Sequence, residues 1–279
     1  MAAPDMRGIG LVVQYQGGGF HGFQVQGKLR TVQLVLEEAV FKLTGIWSRV
    51  RGAGRTDAGV HALGQVAYFE TSATIPLSKW VPALNAVLPR DVAVIRAFEP
   101  PKGFHPRYWA KAKTYAYAIF SSQVRSPFLE GRAYHFCGEL DPVVLDLEAK
   151  DMVGQHDFRA FCATGSSVRS TVRQVYKAGV QAFHIGSGKL LLIYVEANGF
   201  LYNMVRILAG TLLDVGRGRL PRGTIRHCLE TRRREDAGAT LPGEGLWLVG
   251  IKYDFLDTTN SLNYNEICRL ITGGQEVCG

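Results

Sequence analysis

One order of apolar patterning occurs twice along this chain, and it restricts the fold more than any single motif does. Residues Arg7–Tyr15 read as a strand that Gly17, Gly18 and Gly19 bring to an end. Thr31 then caps a helix whose apolar positions Val32, Val35, Leu36, Ala39, Val40 and Leu43 recur at helical spacing, with Gly45 as its stop. Strands near Ser48–Arg51 and Gly64–Thr71, a helix capped by Ser78 that runs through Leu84 and Leu88, and a strand at Val92–Phe98 complete a β-α-β-β-α-β order. Beyond Pro100, Pro101 and Gly103 the order repeats with longer pieces. A strand at Lys111–Phe120 precedes a helix capped by Asp141 with Pro142 at its first position. Strands at Thr171–His184 and Lys189–Ala197 follow, then a helix at Leu201–Val215, a basic helix around Thr224–Arg232 and a final strand at Leu246–Tyr253.

The β-α-β-β-α-β order is the ferredoxin-like split unit, which RNA-recognition domains also use. The expected fold is therefore α/β (α+β): two such units sharing a mostly antiparallel mixed sheet, with a cleft where they meet. A length of 279 residues accommodates two domains of about 150 residues each. The expected division is residues 1–102, residues 103–253 and a tail at 254–279.

Hydrophobic residues make up 47% and charged residues 20%, a balance that excludes largely disordered and disulfide-scaffold classes. No apolar run approaches the roughly 18 residues of a membrane span, and Met1–Gly10 lacks the apolar core of a signal peptide, so a cytoplasmic protein without a membrane partner is expected. The five cysteines form no CxxC pair and no zinc spacing with histidine. They read as reduced thiols, with no metal site. The signature of zinc-dependent base deaminases is also missing.

Of the net charge of +8, the tail from Asp254 holds four acids against Arg269, which leaves +11 on residues 1–253. The densest run is Arg206–Arg234, whose eight arginines face only Asp214 and Glu230. Arginine's planar fork suits phosphates and stacks on bases, so a polyanionic partner is one reading and a solvated surface the other.

Two glycine-bearing segments invite chemistry. Gly17–Gly22 formally matches GxGxxG, but Phe20–Arg30 separates it from the next helix, and the later acids Glu37 and Glu38 lie inside that helix. A dinucleotide site needs the loop to open directly into a helix, so a flexible, phosphate-facing loop is expected instead. The other segment is Gly54-Arg55-Thr56-Asp57-Ala58-Gly59-Val60-His61-Ala62, in a loop between two predicted strands. Small neighbours after Asp57 leave room for a bulky substrate at its carboxylate, while Asp-Ala-Gly is also ordinary turn chemistry. Spacing alone leaves both readings open.

This segment resembles the active-site signature of the tRNA pseudouridine synthase A family. Phe20–Gln24, Leu84–Pro89, Phe104–Tyr108, Lys113–Tyr115, His156–Phe161, Phe200–Arg206, Val215–Gly218 and Gly245–Leu248 fall in that family's order, so the likeness runs from about Tyr15 to Ile251. It implies the pseudouridine synthase fold and an isomerase without a cofactor. The implied reaction converts uridine to pseudouridine at positions 38, 39 and 40 of the tRNA anticodon stem-loop. The same chemistry at other tRNA positions or on another RNA, and a non-catalytic RNA-binding or folding module, are the alternatives.

By this resemblance Asp57 is the catalytic acid, acting as nucleophile on the sugar or as the base that starts glycal formation. Arg206 is its ion-pair partner, with one more phosphate contact as the other reading. Arg55 fills the space a flipped base vacates, Tyr115 stacks on that base, and Leu246 walls the uracil pocket; packing alone would assign Tyr115 and Leu246 to the core. Arg107, Arg217 and Arg219 are implied tRNA contacts, and His105 and His156 read as structural. A homodimer is implied too. The chain departs from the family at Gln16, Gly18, Pro106, Trp109 and Leu241-Pro242, which touches supports around the site and not the matched acid, arginines or tyrosine.

Overall fold

The computed structural model describes residues 6–165, 170–259 and 264–274. The strands form a large, mostly antiparallel mixed sheet with helices, as the repeated order predicts. The chain divides into two compact units, one of Met1–Lys111 with Leu248–Asn260 and one of Ala112–Trp247 with Ser261–Gly279.

In the first unit the order is β1 (Arg7–Tyr15), α1 (Val32–Thr44), β2 (Arg51–Gly52), β3 (His61–Thr71), α2 (Leu77–Val87) and β4 (Val92–Phe98). β1 lies between β3 and β4, antiparallel to both, with Leu11 opposite Ala67 on one side and Ala97 on the other. Ile9, Leu11, Val12 and Val13 are buried, so β1 is covered on both faces. Thr31 caps α1 as predicted, its hydroxyl accepting from the Leu34 amide at 3.4 Å. Gly45 ends the helix at φ +69°, where a residue without Cβ is favoured.

Two expected boundaries shift. Residues 48–50 are not strand, because the Val50 amide donates to the buried Glu37 carboxylate of α1 (3.0 Å), leaving only Arg51–Gly52 to pair with β3. α2 starts at Leu77 with no side-chain cap, so Ser78 does not cap it. Packing sets that helix instead: Trp80 and Leu84 are fully buried, and the Trp80 ring stands edge-on to Phe69 at 5.3 Å. Asn85 bonds both the amide and the carbonyl of Val94 at 2.8 Å, which gives the Leu84–Pro89 motif a structural purpose.

The second unit contains β5 (Ala112–Ser121), β6 (Tyr134–Phe136), α3 (Pro142–Lys150), β7 (Gly154–Asp157), β8 (Val172–Ile185), β9 (Gly188–Ala197), α4 (Met204–Gly216), α5 (Thr224–Thr231) and α6 (Tyr264–Thr272). β5, β9, β8 and β7 pair in that order, antiparallel, and β6 runs parallel to the end of β5. β6 and β7, of three and four residues, are too short to show the alternation that marks a strand, and neither was expected. The last strand, β10 (Leu246–Lys252), contributes its first two residues to this unit and the rest to the first. α6 lies in the acidic tail, beyond the family likeness; Ile267, Cys268 and Ile271 are buried, and Tyr264 stacks on Tyr194 of β9 at 4.4 Å.

Cys137, Cys162, Cys228 and Cys268 are free thiols, while Cys278 and Glu276 lie outside the described residues. No described helix is long and apolar enough to cross a membrane.

Candidate active site

The loop bearing Asp57 joins β2 to β3, and the glycine-rich stretch after β1 sets its shape. The Phe23 amide donates to the Thr56 carbonyl at 3.0 Å and the Gly59 amide to the Phe20 carbonyl at 3.3 Å, so the two segments lie side by side. A Cβ on Gly22, whose φ is +85°, would stand 2.6 Å from the Thr56 carbonyl oxygen. On Gly17 it would stand 2.2 Å from the Val60 carbonyl oxygen. Both contacts are with backbone, so only glycine permits the approach.

The other side of the same stretch is tied to α1, where the Val32 and Gln33 amides donate to the Gly22 and Phe23 carbonyls. Residues 17–23 are thus a cradle bonded on both sides. The flexible loop expected here is instead held on two sides by backbone bonds.

Below the loop, the Tyr15 and Thr56 hydroxyls are 2.8 Å apart, the Gly17 amide donates to His61 Nδ1 at 3.0 Å, and Gln65 Nε2 donates to the Gly54 carbonyl at 2.9 Å. Burial pushes the Tyr15 hydroxyl up to about 12, so it keeps its proton at neutral pH. These supports escaped the sequence reading, since nothing local marks Tyr15 or His61 as partners of residues some forty positions away.

Asp57–Val60 close as a turn. The Val60 amide donates to the Asp57 carbonyl at 3.2 Å, and Gly59 takes the third position at φ +79°. The main chain of Asp57 makes that turn bond, so turn geometry and an acid at this residue are compatible. Asp57 is half-buried, and its neighbours Arg55 and Ala58 are exposed. Arg107 of the same unit is exposed, with its guanidinium 5.8 Å from the Tyr108 ring centre.

The remaining predicted residues belong to the second unit. Tyr115 in β5 is buried, with the edge of its ring against Phe200 at 4.9 Å. Tyr117 shares its strand face and is fully buried, donating its hydroxyl to the Pro242 carbonyl at 2.8 Å. Burial holds the Tyr117 hydroxyl well above its usual range, and the Arg206 guanidinium partly opposes this.

Arg206 stands third in α4, at the positive end of the helix dipole, where a carboxylate or phosphate is favoured. Its Nε donates to the Leu241 carbonyl and its Nη1 to Asn203 Oδ1, both at 2.7 Å. Asn203 holds the left-handed conformation at φ +60°, which asparagine tolerates better than most residues. Because Leu241 and Pro242 act through their carbonyls, the departure from the family at this pair leaves these bonds intact.

Leu246 is buried at the start of β10. Gly245 precedes it, and a Cβ there would stand 2.6 Å from the Tyr117 ring. The second unit therefore groups Arg206 and Gly245-Leu246 around Tyr117, with Tyr115 on the same strand face. Tyr117 itself carried no signal beyond strand alternation.

Arg217 and Arg219 lie past the end of α4. Arg217 Nε donates to Asp214 Oδ1 at 2.8 Å, whereas Arg219 is exposed and its amide donates to the Asp214 carbonyl. The histidines expected to be structural make structural bonds: His105 Nδ1 accepts from the Arg107 and Tyr108 amides, and His156 Nε2 lies 3.1 Å from the Val153 carbonyl. No group of three or more histidine, cysteine or acidic residues able to hold a metal occurs among the described residues.

The sequence matches the profile of the tRNA pseudouridine synthase family over residues 11–109 and 149–254. It is 43% identical over 248 residues to the tRNA pseudouridine synthase A of Caldicellulosiruptor bescii, covering 89% of this chain and 100% of that one. The corresponding proteins of Caldicellulosiruptor saccharolyticus and Ruminiclostridium cellulolyticum are each 44% identical over the same shares of the two chains.

Proposed function

This chain belongs to the tRNA pseudouridine synthase A family, its activity is the isomerisation of uridine to pseudouridine in tRNA, and we propose that Asp57 carries that reaction at positions 38, 39 and 40 of the anticodon stem-loop. The observation that carries the assignment is the fixed Asp57 loop itself, half-buried, with glycines where only glycine fits. In the reaction the bond from uracil N1 to the ribose breaks, the base turns, and a bond from C5 to the same ribose carbon forms. The C5 proton leaves to water and N1 gains one, so no co-reactant is consumed. An ionised carboxylate near the sugar serves either as nucleophile or as base, and a neighbouring guanidinium favours its charged form. Arg206 is assigned that role; its place at a helix N-terminus supports an anionic partner.

Flipping the uridine out of its stack costs a few kcal/mol. Arg55, exposed on the same loop, is assigned to the vacated space, Tyr115 to the flipped base and Leu246 to the pocket wall. Arg107, Arg217 and Arg219 are assigned to the tRNA backbone, and the enzyme is read as a cytoplasmic homodimer.

Asp57→Asn tests the assignment, since it keeps the shape of the side chain and removes its charge. The variant is expected to bind tRNA like the wild type and to release only background tritium from tRNA labelled at uridine C5. Release near the wild-type rate would remove Asp57 from the reaction. Mass-spectrometric mapping of the product identifies the positions modified.

A further inference from the structure

Tyr108 is the most exposed large apolar side chain among the described residues, with 73% of its surface in solvent. Its ring is nonetheless held in place. It lies against the His105 imidazole, tilted by 33° with ring centres 4.3 Å apart, and the Arg107 guanidinium stands 5.8 Å from its centre. The backbone beneath is fixed by the Arg107 and Tyr108 amides, which donate to His105 Nδ1. Phe104 anchors the segment through edge contacts with Tyr68, Phe98, Trp109 and Tyr253, and the Tyr253 hydroxyl donates to the Pro106 carbonyl at 2.7 Å.

An accepting Nδ1 carries no proton, and burial, with the Arg51 guanidinium next, keeps His105 below the usual histidine range. The underside of Tyr108 is therefore a neutral ring. Arg51 and Arg107 are exposed, and among the described residues neither has an ion-pair partner; the acid nearest in the strand pairing, Glu70, accepts from the Tyr68 hydroxyl. Arg51 also lies on β2, six residues before Asp57.

An exposed aromatic ring on an anchored segment, with exposed guanidiniums nearby, is the combination that binds unstacked nucleotides: the ring takes a base, and the cations take the adjoining phosphates. We propose that Tyr108 is a stacking platform for one base of the bound tRNA, with Arg51 and Arg107 as the flanking phosphate contacts. The proposal rests on the reading above that tRNA is the substrate, and it adds to the Arg107 contact a base platform, Tyr108, and a second cation, Arg51, that the family likeness does not assign. A second copy of the chain is disfavoured as occupant, because two unpaired arginines would have to meet a face of the same basic protein.

Binding of unmodified tRNA transcript, followed by fluorescence anisotropy over a series of salt concentrations, decides it. Stacking on one base corresponds to a roughly 5- to 150-fold loss of affinity in Tyr108→Ala. That loss should come with an unchanged slope of log K against log salt, and Tyr108→Phe should restore binding. Arg51→Gln should reduce the slope by about one, as loss of one phosphate contact does. Affinity unchanged within twofold in Tyr108→Ala overturns the proposal. So does a loss of self-association in that variant, seen by light scattering without RNA, with tRNA binding intact. Tritium release by the same wild-type preparation reports separately on Asp57: a protein that shows the stacking effect yet isomerises nothing supports the platform and defeats the catalytic reading.

Discussion

At the scale of single residues, the glycines beside the Asp57 loop separate two roles that one motif conceals. Gly17 is buried and faces the Val60 carbonyl, whereas a Cβ on Gly18 would meet nothing within 4 Å. Gly17→Ala must push backbone against backbone, and such overpacking typically costs about 1–3 kcal/mol. The displaced neighbour is the end of the turn that begins at Asp57. Gly17→Ala is therefore expected to lower Tm and to cut tritium release at least tenfold (~1.4 kcal/mol of transition-state stabilisation), while Gly18→Ala leaves both near wild type. Equal effects at the two positions would mean that the cradle does not position the acid. The departure from the family at Gly18 thus falls where a side chain would meet nothing within 4 Å.

At the scale of elements, the helix ends show how much of the fold can be read locally. Thr31 and Asp141 cap α1 and α3 as their sequences indicate, because the capping atom and the capped amide are three or two residues apart. α5 has no such signal: it starts after Gly223 in a left-handed conformation with no side-chain cap of its own. Its first amides are taken by Glu148 of α3, from the Gly223 amide to Oε2 and the Ile225 amide to Oε1, both 2.8 Å. A cap supplied from 75 residues away leaves no trace in the sequence around α5.

Glu148→Ala orphans both amides, that of Ile225 in a buried place and that of the exposed Gly223 at its edge, and hydrogen bonds to a charged group are worth roughly 1.5–3 kcal/mol. The urea midpoint should fall by a corresponding amount, with Glu148→Gln intermediate; an unchanged midpoint for Glu148→Ala would show that water replaces the cap. The candidate site follows the same division. Asp57, Arg55 and their turn were legible because they are contiguous, whereas Tyr15, His61 and Tyr117 act on residues that only the fold brings near. The tail helix α6 was missed because it sits in a segment read by its acidity alone.

At the scale of the whole molecule, the fold redistributes the charge that the sequence places in one run. Counted locally, the arginines from 206 to 234 face few acids, yet Arg226 pairs with Asp151 at 2.6 Å, Arg232 with Asp157 at 3.7 Å and Arg233 with Asp236 at 3.2 Å. Arg217 pairs with Asp214, which is buried. Exposed pairs of this kind add little stability, but each one neutralises a charge that a polyanion would otherwise meet. Among the described residues of the run, Arg219 and Arg222 are exposed and have no ion-pair partner. The salt dependence of tRNA binding is thus expected to reside in these two more than in Arg217. Arg219→Gln with Arg222→Gln should reduce the slope of log K against log salt by about two while leaving Tm unchanged. Arg217→Gln should do the reverse, lowering Tm because it strands the Asp214 carboxylate, with a smaller change in slope. A slope unaffected by the double substitution would place the tRNA backbone elsewhere on the basic body and leave this run a solvated surface.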